Sequence, residues 1–286
     1  MTTKLGRGLA AIGVLSLFGL ALTACKEEAK VTSQKAADQA LWAEKKNEDD
    51  VAKISTGLSE GAKKFAPIFL NGGDPHADPQ EVRAILFRAR HDVPELNAAK
   101  TTFSVLIDPQ GIGVRNDLEQ DSMAGANLFA TFPSLKNPKD GFATATGAFK
   151  SQSGQSDREW VGAVPVKKQD GSVGGYYLTG WTFRQYAFQL QDAMKQKMND
   201  DLAVAKSGAK LPVFYVMMFD ALGAYGAPMT PDVNESQVHA LDLVSKTASA
   251  PAQGIVNISD RDFGYAAMRT PALGPDIGVI VLRSEI

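Results

Sequence analysis

The chain has 286 residues, of which 44% are hydrophobic, and this is enough for one large globular domain or two small ones. Its 30 basic and 32 acidic side chains give a formal net charge of −2, and no basic cluster stands out, so nucleic acid is not an expected partner. The sequence contains no phosphate-binding loop and no catalytic or metal-binding motif. We therefore predict a protein that is not an enzyme, holds no metal and uses no cofactor.

Residues 1–24 have the pattern of an export signal. Lys4 and Arg7 supply a basic start, and residues 9–22 carry no charge. A helix of that length is too short to cross about 30 Å of hydrocarbon, but it suits the apolar part of a signal peptide. No comparably apolar segment follows, so we expect no second membrane-spanning segment.

The apolar run ends in Leu22-Thr23-Ala24-Cys25, which resembles the lipobox of bacterial lipoproteins. The resemblance implies cleavage before Cys25, a diacylglyceryl thioether on its sulfur, and usually a further acyl chain on the new amino group. Cys25 is the only cysteine, and lipidation explains why an exported chain carries an unpaired one. By the sorting rule of Gram-negative lipoproteins, Lys26 favours the outer membrane. We expect a membrane-anchored protein that faces the periplasm or the cell exterior.

The mature chain is predicted to begin with a tether and two helices. Residues 25–50 are polar and charged, and we expect them to form a solvated tether. From residue 51 onwards, apolar side chains recur every three or four positions, which predicts a helix that fades near Pro67. A second helix is predicted to begin at Asp78-Pro79, an N-cap residue followed by a first-turn proline.

The next segment predicts two pairs of strands and a long helix. The four strands are expected at residues 103–107, 112–115, 160–166 and 173–180. Residues 116–157 separate the two pairs and are expected to be irregular, with a short helical stretch near residues 122–129. A capping box at Thr182 and Gln185 opens the long helix.

The same order of elements then recurs. A strand at 213–219 and a helix that starts at residues 230–232 precede three more strands, at 253–258, 263–269 and 277–283. Aligning Arg158 with Arg261 also aligns Gly175 with Gly278, without a gap. The repeat predicts two related α+β units, at residues 51–206 and 207–286.

Residues 160–175 resemble the two central strands of the double Cache family, the PAS-like extracytoplasmic sensor domains of bacteria. The resemblance covers roughly residues 50–286. It implies N-terminal helices followed by two tandem PAS-like antiparallel sheets that a long helix joins. It also implies a small-molecule pocket beneath the covering segment 116–157. The usual membrane-spanning and signalling segments are missing, so we expect the protein to act through a separate membrane protein.

Four residues are the candidates for this pocket. Strand alternation puts Arg158 and Trp160 on one face, and puts Tyr177 and Thr179 together on the partner strand. An arginine beside aromatic rings suits a carboxylate ligand, and Arg158-Glu159-Trp160 resembles an Arg-x-Trp pair of some amino-acid-binding Cache domains. Three alternatives remain open. Arg158 could instead pair with an acid while Trp160 belongs to the core, and the protein could be an assembly or interaction lipoprotein without a ligand. A hydrolase would need a reactive group that converges on the same cavity.

Overall fold

A computed structural model describes residues 13–97, 103–136, 141–150, 156–204 and 212–285, with side chains described from residue 31 onwards except those of Asn71, Lys150 and Ser156. One long helix, α1 (Gly13–Lys63), runs along both halves of the molecule. At 1.5 Å per residue, its part from residue 31 to residue 63 is about 50 Å long. Within the described ranges, no helix is long and apolar enough to span a membrane.

The expectation of a solvated tether over residues 25–50 is wrong for its second half. Ala36, Ala40 and Ala43 are fully buried on α1 and belong to the main core, and Asn47 and Asp50 are buried as well. The reason is a stripe of small side chains at helical spacing within a sequence that is otherwise charged. Alanine lets the helix approach a sheet closely, so the charged composition was a poor guide to burial.

Helix α2 (Pro79–Asp92) begins as predicted. The Asp78 side chain accepts hydrogen bonds from the backbone nitrogens of Gln80 and Glu81, at 3.1 and 3.0 Å. Pro79 occupies the first turn, where its missing N–H costs nothing. The apolar side chains of α2 recur every three or four positions and are buried, which fixes the helix against the rest of the first unit; they are Val82, Ile85, Leu86 and Ala89.

The first sheet has five antiparallel strands in the spatial order β2-β1-β5-β4-β3. The strands are β1 (Phe103–Ile107), β2 (Gly113–Asn116), β3 (Ala143–Lys150), β4 (Ser156–Lys167) and β5 (Val173–Thr182). A short helix, α3 (Leu128–Thr131), lies in the segment that covers the sheet. The prediction that residues 116–157 are irregular missed β3. This edge strand is mostly alanine, threonine and glycine, so the contrast between its apolar and polar positions is too weak to mark a half-buried strand.

Helix α4 (Phe183–Val204) leads from β5 to the second sheet. Its predicted cap is present, because the Thr182 hydroxyl accepts a 3.1 Å hydrogen bond from the Gln185 backbone nitrogen. The second sheet consists of β6 (Val213–Asp220), β7 (Gly223–Gly226), β8 (Ala252–Ile258), β9 (Arg261–Arg269) and β10 (Gly278–Ser284). Helices α5 (Asp232–His239) and α6 (Leu243–Lys246) connect β7 to β8.

The second sheet has the order β7-β6-β10-β9-β8, which is the order of the first sheet repeated. The predicted fold class is therefore confirmed: helices precede two tandem antiparallel sheets, and a long helix joins them. Helix α1 lies directly on β9, where a Cβ atom added to Gly264 would come within 2.6 Å of the Ser33 backbone nitrogen. Glycine at this position permits the close approach of helix and strand.

The predicted alignment of the two units gives the correct pairing of strands. It puts the side chains of the second unit on the wrong face of their sheet, as a shift of one residue does. Val166 pairs with Gly175 in the first sheet, and Arg269 pairs with Gly278 in the second, as an offset of 103 requires. Trp160, however, packs on the helix side of its sheet, whereas Phe263 packs on the opposite side. A shift of one residue turns every side chain of a strand to the other face.

Candidate functional site

The first sheet is covered on both faces, and the two coverings differ. Residues including Leu106, Val164 and Tyr177 face α1 and α2. The opposite face, with Val105, Val161 and Leu178, meets the covering segment. That segment contributes large apolar side chains to the space above the sheet, namely Met123, Leu128, Phe129, Phe132 and Leu135.

The structure brings Trp160, Tyr177 and Thr179 onto one face, as predicted from strand alternation. Tyr177 pairs with Val164 across the sheet, and Thr179 pairs with Gly162. This face, however, is the helix side. The expectation that these residues line a pocket under the covering segment is therefore wrong, because the covering segment packs on the other side of the sheet.

Trp160 is part of a buried aromatic stack. Its ring centroid lies 4.2 Å from that of Trp181, which lies 4.6 Å from that of Tyr186. The indole nitrogens of both tryptophans are buried and have no hydrogen-bond partner within the described ranges. The role of Trp160 as a core residue, which the sequence left open as an alternative, agrees with this packing.

The stack ends at a buried carboxyl group on α1. The Tyr186 hydroxyl donates a 3.0 Å hydrogen bond to Asp50, which also forms an ion pair with Lys46. Burial raises the pKa of the Asp50 carboxyl, while the hydrogen bonds from Lys46 and Tyr186 act in the opposite direction. A cavity of about 180 Å³ opens beside this group, next to Gln189.

Arg158 joins the two sheets. Its Nε donates a 2.6 Å hydrogen bond to Asp220, at the end of β6, and one terminal nitrogen lies 3.4 Å from the Thr146 hydroxyl. The other oxygen of Asp220 accepts from the Leu222 backbone nitrogen and from the Tyr225 hydroxyl. The charge of Arg158 is therefore already balanced, by an acid of the second unit.

Glu159 follows Arg158 and points the opposite way, towards the covering segment. Its residue is 7% exposed, and one carboxyl oxygen has no hydrogen-bond partner in the described part of the chain. Burial raises the pKa of this carboxyl to about 8, and the nearby charge of Asp157 adds to the effect. The cross-strand neighbour is Gly147, where an added Cβ would come within 2.5 Å of the Thr131 carbonyl oxygen, so the covering segment is directly against the sheet here.

Two larger cavities lie outside the first sheet. One, of about 460 Å³, lies between α4 and β6, next to Phe214. The other, of about 300 Å³, lies between α1, α4 and β10, and Arg283 is one of its lining residues. Neither these two nor the cavity beside Asp50 is lined by Arg158, Trp160, Tyr177 or Thr179.

Arg283 was not among the sequence candidates, although the sequence contains a signal for it. Strand alternation from Val279 and Val281, which are buried against α1, puts Arg283 on the same inward face of β10. A basic residue at an inward position of a buried strand is unusual and needs a partner.

The described residues show no metal site. No group of three or more histidine, cysteine, aspartate or glutamate side chains converges in the described ranges. Asp78 caps α2, Asp74 accepts a hydrogen bond from the His76 backbone, and the His76 ring contacts Asp108 at 3.3 Å. The Cys25 side chain lies outside the described part, so its lipidation stays a prediction.

No protein-family model and no curated protein matches the chain. Solved structures do match, although at low identity. The ligand-binding domain of the Campylobacter jejuni chemoreceptor Tlp3, in complex with 4-methylisoleucine, is 14% identical with a TM-score of 0.52; the match covers 90% of this chain and 92% of that one. The extracellular domain of vpHK1S-Z8, assigned as a histidine kinase, is 8% identical with a TM-score of 0.60; coverage is 91% and 93%.

A third match is an extracellular ligand-binding receptor from Desulfohalobium retbaense, at 14% identity and a TM-score of 0.54. It covers 86% of this chain but only 39% of the receptor, so this chain corresponds to less than half of that protein. Together with the strand order, these matches define the fold as that of double Cache, PAS-like sensor domains. The structural neighbours include sensor domains of both chemoreceptors and kinases.

Proposed function

We propose that this protein is an extracytoplasmic module that binds a small molecule and passes its state to a separate membrane protein. The observation that carries the proposal is the double-sheet fold, which matches the Tlp3 ligand-binding domain over 90% of this chain. The proposed role is binding and not catalysis, because the sequence has no catalytic motif.

Contacts between the two units support a role in transmitting a change. Arg158 of the first sheet forms an ion pair with Asp220 of the second. Arg184, at the start of α4, contacts Glu235 of α5, with 2.8 Å between Nη2 and Oε2. A ligand that favoured one arrangement of these contacts would shift the relative position of the two units.

The proposed anchor is the lipid on Cys25, and Lys26 favours the outer membrane. Two or more acyl chains on one residue give stable membrane attachment, which a single chain does not. Replacing Cys25 with serine should leave the protein unprocessed or release it, and should stop incorporation of labelled fatty acid. Label that remained on the serine variant in the membrane fraction would contradict the anchor.

A second candidate function is that of an assembly or interaction lipoprotein without a ligand. The filled space above the first sheet favours it. The covering segment places Phe129, Phe132 and Leu135 where a ligand of a PAS-like domain would need room. Arg158, the cation predicted to meet a carboxylate, is paired with Asp220.

A ligand screen on the detergent-solubilised full-length protein distinguishes the two functions. The panel should include amino acids, organic acids, amines, sugars and nucleosides, with melting temperature as the first readout and calorimetry for confirmation. A sensor should show at least one saturable ligand that raises the melting temperature, because binding to the native state alone stabilises it. No ligand of any class would favour the assembly function.

A further inference from the structure

The cavity of about 300 Å³ between α1, α4 and β10 has an unusual lining. Part of the lining is apolar, formed by Trp42, Met194 and Met198. The polar part contains Arg283 and Gln39 together with the charged residues Lys35, Asp38, Lys197 and Asp201. The volume is at the lower end of the range for pockets that hold small organic ligands. Such a mixture of apolar surface and a few convergent polar groups is typical of ligand sites.

Arg283 brings a nearly buried charge to this cavity. Its side chain is 11% exposed, and its Nε donates a 3.0 Å hydrogen bond to Glu285, which Lys35 also contacts at 3.0 Å. In the described part of the chain, the acceptor for its terminal nitrogens is the sulfur of Met198, 3.7 Å from Nη1. A thioether is a weak acceptor, so four N–H groups of the guanidinium have no strong partner.

Gln39 contacts the same sulfur. Its amide nitrogen is 2.8 Å from the sulfur of Met198, and its amide oxygen is buried without a partner in the described ranges. Exchanging the two amide atoms would not help, since one of them would still face the sulfur and the other would still be unpaired. The amide nitrogen therefore has only a weak acceptor, which a carboxylate oxygen could replace, whereas the unpaired amide oxygen needs a donor that a carboxylate does not supply.

From this juxtaposition we infer that the cavity binds a small organic carboxylate with an apolar body. The carboxylate forms a two-pronged contact with the terminal nitrogens of Arg283, a geometry that guanidinium groups favour. One carboxylate oxygen also accepts a hydrogen bond from the Gln39 amide nitrogen, and the apolar body lies on Trp42 and Met194. This inference rests on the proposed binding function, and it places the ligand against the second unit and α1.

The test compares matched ligands by calorimetry on the detergent-solubilised full-length protein. The probes are phenylacetate and hexanoate, the neutral controls are phenylacetamide and hexanamide, and inorganic phosphate tests for a site that takes any anion. The carboxylates should bind at least about tenfold more tightly than the amides, because a charge-assisted hydrogen bond contributes more than a neutral one. Equal affinity for acid and amide, or binding of phosphate as tight as that of the carboxylates, would overturn the inference.

Two variants test the roles of Arg283 and Gln39, and a third, at Arg261, is the control. Arg283→Gln should weaken carboxylate binding about tenfold or more, while Arg261→Gln, at an exposed position of the neighbouring strand, should not change it. Gln39→Glu supplies an internal carboxylate beside Arg283, so it should abolish binding without lowering the melting temperature. This second variant keeps the test valid if Arg283→Gln folds poorly.

The outcomes separate this inference from the proposed function. Carboxylates that bind the parent and both variants equally would place the ligand elsewhere and leave the sensor function standing. A screen that found ligands of another class only would reject the carboxylate and keep the function. A protein that bound no member of the whole panel would reject both.

Discussion

The two sheets have the same strand order but use their arginines differently. In the first unit, Arg158 forms an ion pair with Asp220 and so connects one sheet to the other. In the second unit, Arg261 is exposed, and the inward arginine is Arg283, whose terminal nitrogens have only a thioether as an acceptor in the described ranges. Both arginines have an ion-pair partner, and they differ in the acceptor of a terminal nitrogen, which is the Thr146 hydroxyl for Arg158 and the Met198 thioether for Arg283. A shared topology therefore does not give the two units the same arginine contacts.

The largest effect should come from the aromatic stack, which the second unit lacks at the matching position. Replacing Trp160 with alanine should lower the free energy of unfolding by about 4 kcal/mol, since it removes a fully buried ring and leaves a cavity. Ile255→Ala, at a half-exposed edge position of the second sheet, should cost less than about 1 kcal/mol. Urea denaturation of both variants measures the two free energies of unfolding. Similar losses would contradict the prediction that the buried stack contributes more to stability than the exposed edge position.

The ion pair between the sheets should come next. Arg158→Ala leaves the Asp220 carboxylate buried without its cation, and we expect a loss of about 3 kcal/mol in the free energy of unfolding. Arg261→Ala should change stability by less than about 0.5 kcal/mol, because this side chain is exposed and no ion pair forms there in the described structure. Adding Asp220→Asn to Arg158→Ala should recover part of the loss. No recovery would argue against the pair as the cause.

The smallest predicted effect depends on pH. The carboxyl of Glu159 has a folded-state pKa of about 8 against 4.5 in the unfolded chain, so the native state binds more protons between these values. Stability should therefore fall as pH rises from about 4.5 to 8. Glu159→Gln removes this dependence and should raise the free energy of unfolding by about 2 kcal/mol at pH 6, with little change at pH 4.5.

The exposed Glu119→Gln serves as the control for this prediction. Its stability relative to the parent should stay constant over the same pH range. Parallel denaturation curves for the parent and Glu159→Gln at pH 5 and pH 8 would show that the Glu159 carboxyl is ionised in the native state.

Local patterns predicted most of the fold. The Asp78 cap, the Thr182 cap and the hairpin of β4 and β5 each depend on a few adjacent residues, and the structure has all three. The repeat of these local signals was enough to predict two sheets. Strand β3 was missed because alternating alanine and threonine differ too little in hydrophobicity to indicate a buried face.

The site depended on information that the sequence does not contain. Alternation correctly grouped Trp160 with Tyr177, but it cannot say which side of a sheet a helix will cover. The partner of Arg158 is 62 residues away, and only the packing of the two units brings Asp220 to it. The inward position of Arg283 on β10 can be predicted from the sequence. The sequence does not show that the acceptor near its terminal nitrogens is the sulfur of Met198, on α4.

The continuous helix α1 has a consequence for geometry at the membrane. If Cys25 carries the lipid, helix α1 connects the lipid rigidly to the folded part. Thr32, which lies seven residues or about 10 Å further along the helix, is already buried. The number of residues between Cys25 and Thr32 then fixes the angle of the folded part about the axis of α1. Inserting one residue between Cys25 and Thr32 would turn both sheets by about 100° and raise them by about 1.5 Å. A partner that reads one side of the module should lose contact after such an insertion and regain it after seven residues, which complete almost two turns.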